Sequence, residues 1–202
     1  MHPFFSEIKQ YPALEKSCRT DLVKLPDSYK GKGTIKAILL GADPTNDGIK
    51  TCKGLKQLDT VFGIGSEFEN AFFTPQFVNL KAIGLTNKDH LFIQNLCRNY
   101  FRDQTSENKN WSQVAKIWFP FLAEELSAIN NAIPVLVTAE KIMKVLVPGL
   151  PSAEKIYNMK HKLPFFSPDL NRKVFPLYRQ PTYYLSNNWP GYREYLKQAI
   201  NE

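Results

Sequence analysis

The chain has 202 residues, 43% of them hydrophobic and 22% charged, and a formal charge of +7. That length suits one domain with a buried core, and the composition argues against a disordered chain. No run approaches the roughly 18 apolar residues that span a bilayer, and the start "MHPFFSEIKQYP" lacks the basic flank and apolar core of a secretion signal, so a cytoplasmic chain without a membrane partner is expected.

Residues 4–17, "FFSEIKQYPALEKS", read as an N-terminal helix kinked or divided at Pro12. The run Ile35 to Leu40 is apolar except for Lys36 and has the length of a strand buried on both faces. Gly41 and Pro44 break it, which places Asp43 at the carboxyl edge of a sheet. "FENAFFTPQFVNLKAIG", 68–84, reads as helical material around Pro75, and "HLFIQNL", 90–96, as a second strand ending at Asn95. From Trp111 to Ile129 apolar residues recur at spacings of three and four, the stripe of an amphipathic helix that Pro120 can bend. "IPVLVT", 133–138, is a third strand and runs into the helical "AEKIMKVLV"; "KVFPLY", 173–178, is a fourth; and "GYREYLKQAI" closes the chain as a helix with Tyr192, Tyr195, Leu196 and Ala199 on one face.

Strands alternating with helices imply parallel units. The expected fold class is α/β, a three-layer α/β/α arrangement with a small, mostly parallel four-stranded sheet, in a single domain over residues 1–202. Ligands of such sheets bind beyond the carboxyl ends of the strands, where Asp43, Asn95 and the segment Arg179 to Thr182 fall.

Cys18, Cys52 and Cys97 are 34 and 45 residues apart, with no CxxC pair, and read as reduced buried thiols. His90 and His161 have no His or Cys at metal-ligand spacing, so neither a metal nor another cofactor is expected. From Lys141 to Arg179 eight Lys/Arg face only Glu154 and Asp169. This run is either a solvated basic face or, if the fold gathers it on one side, a nucleic-acid footprint.

Several blocks, in order over about residues 35–200, resemble the uracil-DNA glycosylase superfamily. "GADPT", 41–45, resembles the Gly-x-Asp-Pro turn whose Asp positions the attacking water. "DTVFGIGS", 59–66, is similar to the segment that stacks an aromatic ring on a flipped base, here Phe62. "TPQFVNLKAIGL", 74–85, resembles the Pro-rich block before the second strand, and "LFIQNLCRN", 91–99, the strand whose terminal Asn, here Asn95, reads the pyrimidine edge. "FPLYRQPTYYL", 175–185, is similar to the closing His-Pro-Ser motif and the DNA-penetrating loop. Two departures stand out: Gln180 replaces the motif's His, and Thr45 stands where the best-known branch has a Tyr that excludes thymine.

The resemblance implies a monofunctional DNA glycosylase that hydrolyses the N-glycosidic bond of uracil or a related damaged base flipped out of single- or double-stranded DNA, acting as a monomer without metal. Asp43 would orient the water and offset oxocarbenium charge, and Gln180 would donate to the departing base. Phe62, Asn95 and Thr45 would hold the base, and Arg179, Thr182, Tyr183, Tyr184 and Leu185 would touch DNA. Plainer readings stand beside these. Asp43-Pro44 could cap a helix, Asn95 could bond a strand end, Phe62 could be core, and Tyr183-Tyr184 could pack on the last helix. At the level of function the alternatives are a catalytically weak or inactive nucleic-acid-binding module on the same fold and, more distantly, a cytoplasmic hydrolase or binder of free nucleosides or nucleotides.

Overall fold

The computed structural model describes residues 1–46, 54–147, 149, 164–177 and 185–201, with side chains in the last stretch for 189–200. Among these residues the chain forms one six-stranded sheet of order β1-β3-β2-β4-β6-β5. Its strands are β1 (Tyr29–Lys30), β2 (Ala37–Gly41), β3 (Leu91–Asn95), β4 (Val135–Val137), β5 (Phe165–Ser167) and β6 (Arg172–Pro176). β3, β2, β4 and β6 run parallel, and β1 and β5 pair antiparallel at the two edges. The α/β class therefore holds, while the expected count of four strands is corrected to six. The four expected strands are the parallel centre. Every residue of β2, β3 and β4 is buried, so both faces of the sheet are covered, as parallel strands require.

The helices are α1 (Phe4–Glu7), α2 (Pro12–Glu15), α3 (Glu69–Phe72), α4 (Thr74–Ala82), α5 (Trp111–Ser127), α6 (Glu140–Leu146) and α7 (Leu185–Asn201). Pro12 opens α2 and Pro75 lies in the first turn of α4, positions where a missing N–H costs nothing. α5 buries Trp111, Val114, Ala115, Trp118, Leu122 and Leu126, which is the stripe read from its periodicity. Pro120 sits inside α5 without ending it; Pro120 and Lys116, whose carbonyl it cannot bind, both lie on the exposed side. Among the described residues no helix is long and apolar enough to cross a membrane.

Arg172 joins the sheet to α5. Its side chain is 3% exposed, and its guanidinium donates to the carbonyls of Leu126 (2.7 Å), Ile129, Asn130 and Ile133 (3.3 Å) around the carboxyl end of that helix. Only Leu126 belongs to α5; the other three carbonyls lie in the turn between α5 and β4, so one planar cation with five donors ties the helix end and that turn to β6. Burial without a carboxylate pulls the Arg172 pKa down.

Candidate functional site

The parallel register of β2 and β3 places Gly41 opposite Asn95. The ladder continues past both strand ends, with Leu96 N–H donating to Gly41 O (2.8 Å) and Cys97 N–H to Ala42 O (2.9 Å), and this fixes Asp43 beside Asn95 at one sheet edge. The two ends read from sequence as chemical positions are therefore neighbours.

Asp43 is held by three donors. Thr45 N–H bonds Oδ1 at 2.9 Å, while the Thr105 hydroxyl (2.7 Å) and the Trp111 indole N–H (2.8 Å) bond Oδ2. The Thr45 bond is the local turn expected of Asp, but no helix follows Pro44 among the described residues, so Asp43 is not a helix cap there. Burial raises the Asp43 pKa, and the bonds from Thr45, Thr105 and Trp111 oppose that rise without cancelling it. The carboxylate thus has fixed geometry, strong donors on one oxygen, and raised basicity.

The loop supplying Thr105 is anchored from α6, where Lys141 Nζ donates to the carbonyls of Thr105 and Asn108. Thr45 adds a second tie: its Oγ1 accepts from Phe101 N–H at 2.9 Å.

Asp43 opens onto a cavity of about 150 Å³ lined by Thr45, Leu58, Phe62, Phe72, Gln76 and Asn95. An apolar cavity of roughly this volume accommodates one benzene-sized ring. Phe62 has φ 55°, in the left-handed region that a bulky residue avoids, and packs its ring against the Gly41 backbone. A Cβ at Gly41 would lie 2.2 Å from Asn95 Oδ1 and 2.5 Å from Phe62 Cζ. Glycine is thus the residue that lets the amide and the ring meet at the end of β2.

Asn95 is 3% exposed and its Oδ1 has no hydrogen-bond partner, so its side chain does not serve as a strand-end bond. Its backbone N–H donates to Gln94 Oε1 (2.9 Å), and Gln94 Nε2 donates to Glu125 on α5, which locks the residue from behind. A larger cavity of about 320 Å³, lined among others by His2, Arg98 and Glu125, shares Asn95 but contains no group of the Asp43 cluster. Chemistry rather than size therefore marks the smaller one.

The structure brings together Asp43, Thr45, Phe62 and Asn95 from the sequence reading. Arg179, Gln180, Thr182, Tyr183 and Tyr184 lie outside the described residues, as do Cys52 and His161; Leu185 begins α7, with its side chain likewise outside. Thr105, Trp111 and Gln76 are site residues that the sequence reading did not assign. Gln76 had a readable signal, because it is the polar member of a Phe72, Gln76, Leu80 face at helical spacing and is 5% exposed.

The basic run also divides. Lys141 and Arg172 turn inward onto backbone carbonyls, Lys144 pairs with Glu140 at 2.8 Å, and Lys173 is exposed. These four do not form the uniform solvated face that a charge run suggests. His90 Nδ1 contacts Thr34 O at 2.9 Å, and the described residues contain no group of three or more His, Cys, Asp or Glu able to hold a metal. Cys18 and Cys97 are buried, unpaired thiols, and burial lifts Cys18 to about 11.

No family model matches the chain, and no curated protein is significantly similar to it.

Proposed function

We propose that the chain is a DNA base-excision glycosylase with a uracil-DNA glycosylase-like three-layer fold, which hydrolyses the N-glycosidic bond of a pyrimidine flipped out of DNA. The observation that carries this reading is a triply bonded, partly buried carboxylate, Asp43, opening onto a ring-sized cavity that also holds Phe62 and the unpaired amide oxygen of Asn95.

The chemistry follows from that arrangement. Asp43 accepts a hydrogen bond from water and aims its oxygen at the anomeric carbon; as the bond from that carbon to the base nitrogen breaks, its electron pair leaves with the base, and Asp43 takes the water proton. The same negative charge stabilises the oxocarbenium character of the sugar. Trp111 and Thr105 prevent the carboxylate from rotating away. Phe62 stacks on the ring, and Asn95 pairs with the pyrimidine edge, since an amide both donates and accepts. DNA is the polymer that fits the +7 formal charge, with Gln180 donating to the departing base.

The test is cleavage of single- and double-stranded oligonucleotides carrying uracil or a related base, by the natural protein and by Asp43→Asn. The expected result is cleavage that falls about 100-fold or more in the variant. Equal cleavage by both proteins would refute the role of Asp43. Tight, salt-dependent binding with no cleavage would identify the binding module instead.

A further inference from the structure

Five buried side-chain atoms lack a partner among the described residues, and two of them, Asn95 Oδ1 and Gln76 Oε1, line the same cavity of about 150 Å³. Buried polar atoms are almost always paired, so two orphans on one small cavity point to what enters it. Asn95 comes from the end of β3 and Gln76 from α4, so the two amides reach the cavity from separate elements.

We infer that Gln76 is a second base-reading residue, and that the cavity selects a pyrimidine carrying two hydrogen-bond donors, the ring N3–H and an amino or hydroxyl group at C5. This rests on the glycosylase reading for the identity of the ring. The volume admits one six-membered ring. In such a ring N1 carries the sugar, and the amide of Asn95 covers the edge with O4 and N3–H, which leaves C5 as the next position able to present a donor to Gln76. Phe62, Phe72 and Leu58 supply only carbon, and the other polar lining groups, Asp43, Thr45 and Asn46, already hold protein hydrogen bonds, so Gln76 carries the unpaired acceptor that distinguishes a C5 amine from the C5 methyl of the same size. A site with a buried acceptor rejects the analogue that lacks the donor, because the acceptor is then left dry and unpaired.

The experiment titrates the full chain with 1-methyluracil, 1-methylthymine and 5-amino-1-methyluracil, whose methylated N1 mimics attachment to sugar, and follows the side-chain amide signals of Gln76 and Asn95. Expected is binding of the 5-amino ring roughly tenfold or more tighter than that of 1-methylthymine. That ratio should fall to near one in Gln76→Leu. Asn95→Ala should weaken both rings. Because two ligands are compared on one protein, a general loss of structure cannot produce a change of ratio, and Gln76→Leu is expected to melt higher, since it removes an unpaired buried oxygen. Gln76→Glu, which keeps acceptor oxygens in the same volume, should retain the preference. Absence of binding by all three rings, equal binding of the methyl and amino rings, or a preference that survives Gln76→Leu would each overturn the inference. The same rings in oligonucleotides separate the two proposals: ring preference without cleavage removes the glycosylase reading alone, and cleavage without preference removes this inference alone.

Discussion

Gly41→Ala tests whether the end of β2 is built for the site rather than for the sheet. A Cβ there would come within 2.2 Å of Asn95 Oδ1 and 2.5 Å of Phe62 Cζ, against about 3.4 Å for ordinary contact, so each group must retreat by roughly 1 Å. Two opposing effects act on stability. Gly41 does not occupy the left-handed region, so alanine gains roughly 0.5–1 kcal/mol from lost unfolded-state freedom, while overpacking costs about 1–3 kcal/mol. The net destabilisation is about 2 kcal/mol or less, or a melting point lower by roughly 8 °C at most for a chain of this size. Function is hit harder, because a displacement of about 1 Å at a positioned group commonly costs on the order of 100-fold. The assay pairs thermal melting with cleavage and with ring titration of the Gly41→Ala protein. A melting point lower by no more than roughly 8 °C together with a loss of ring binding and cleavage of about 100-fold is expected. Adding Phe62→Ala should recover part of the stability non-additively, since it removes one of the two clashes. Undiminished ring binding in Gly41→Ala, with the Asn95 side-chain signal unshifted, would refute the reasoning.

Asp43 makes activity and stability depend on pH in opposite senses. Its pKa is raised by burial, so between the ordinary carboxylate value and the raised one the folded chain holds a proton that the unfolded chain has lost; the contribution of Asp43 to stability therefore falls as pH rises through that window and is fully lost above it. Cleavage needs the ionised base and should rise across the same window. Melting curves taken over pH should show a shallower slope there in Asp43→Asn, and an unchanged slope would contradict the raised pKa. Arg172→Leu removes the donor to four carbonyls, one at the end of α5 and three in the turn after it, and should destabilise by about 3 kcal/mol, a fall of roughly 6–12 °C in melting point. A change under about 1 kcal/mol would mean that water serves those carbonyls as well as the guanidinium does.

Much of the sheet was legible because its four parallel strands are continuous apolar runs bounded by breakers. The edge strands were not, since Tyr29–Lys30 and Phe165–Ser167 are too short to show a period. Asp43 and Asn95 could be placed because each ends a strand. Thr105 and Trp111 could not, because they meet Asp43 across 62 and 68 residues, and the indole of Trp111 read as one more member of an apolar stripe. Phe62 was singled out by its ring, but nothing in "VFGIG" announces a left-handed phenylalanine. The basic run misled for a related reason: sequence records the charge of Lys141 and Arg172 but not that both turn inward onto carbonyls.

The cavity gathers several costs in one place: of the five unpaired buried side-chain atoms among the described residues, it alone holds two, the others being spread over Arg98, Asn108 and Ser167. Two other buried amides are satisfied, since Asn46 pairs with Lys56 in both directions and Asn99 accepts from the Trp118 indole. At the cavity two amide oxygens stay unpaired, at about 1–3 kcal/mol each, Phe62 holds a strained backbone at roughly 1–3 kcal/mol, and Asp43 is desolvated. Together these amount to several kcal/mol against a net stability of roughly 5–15 kcal/mol for an ordinary domain. Core packing alone would remove such defects, since leucine in place of Gln76 fits the same volume without an orphan. Their coincidence around one ring-sized space is explained if an occupant with matching donors offsets them, and rings that lack those donors bind less tightly because the amides then stay unpaired.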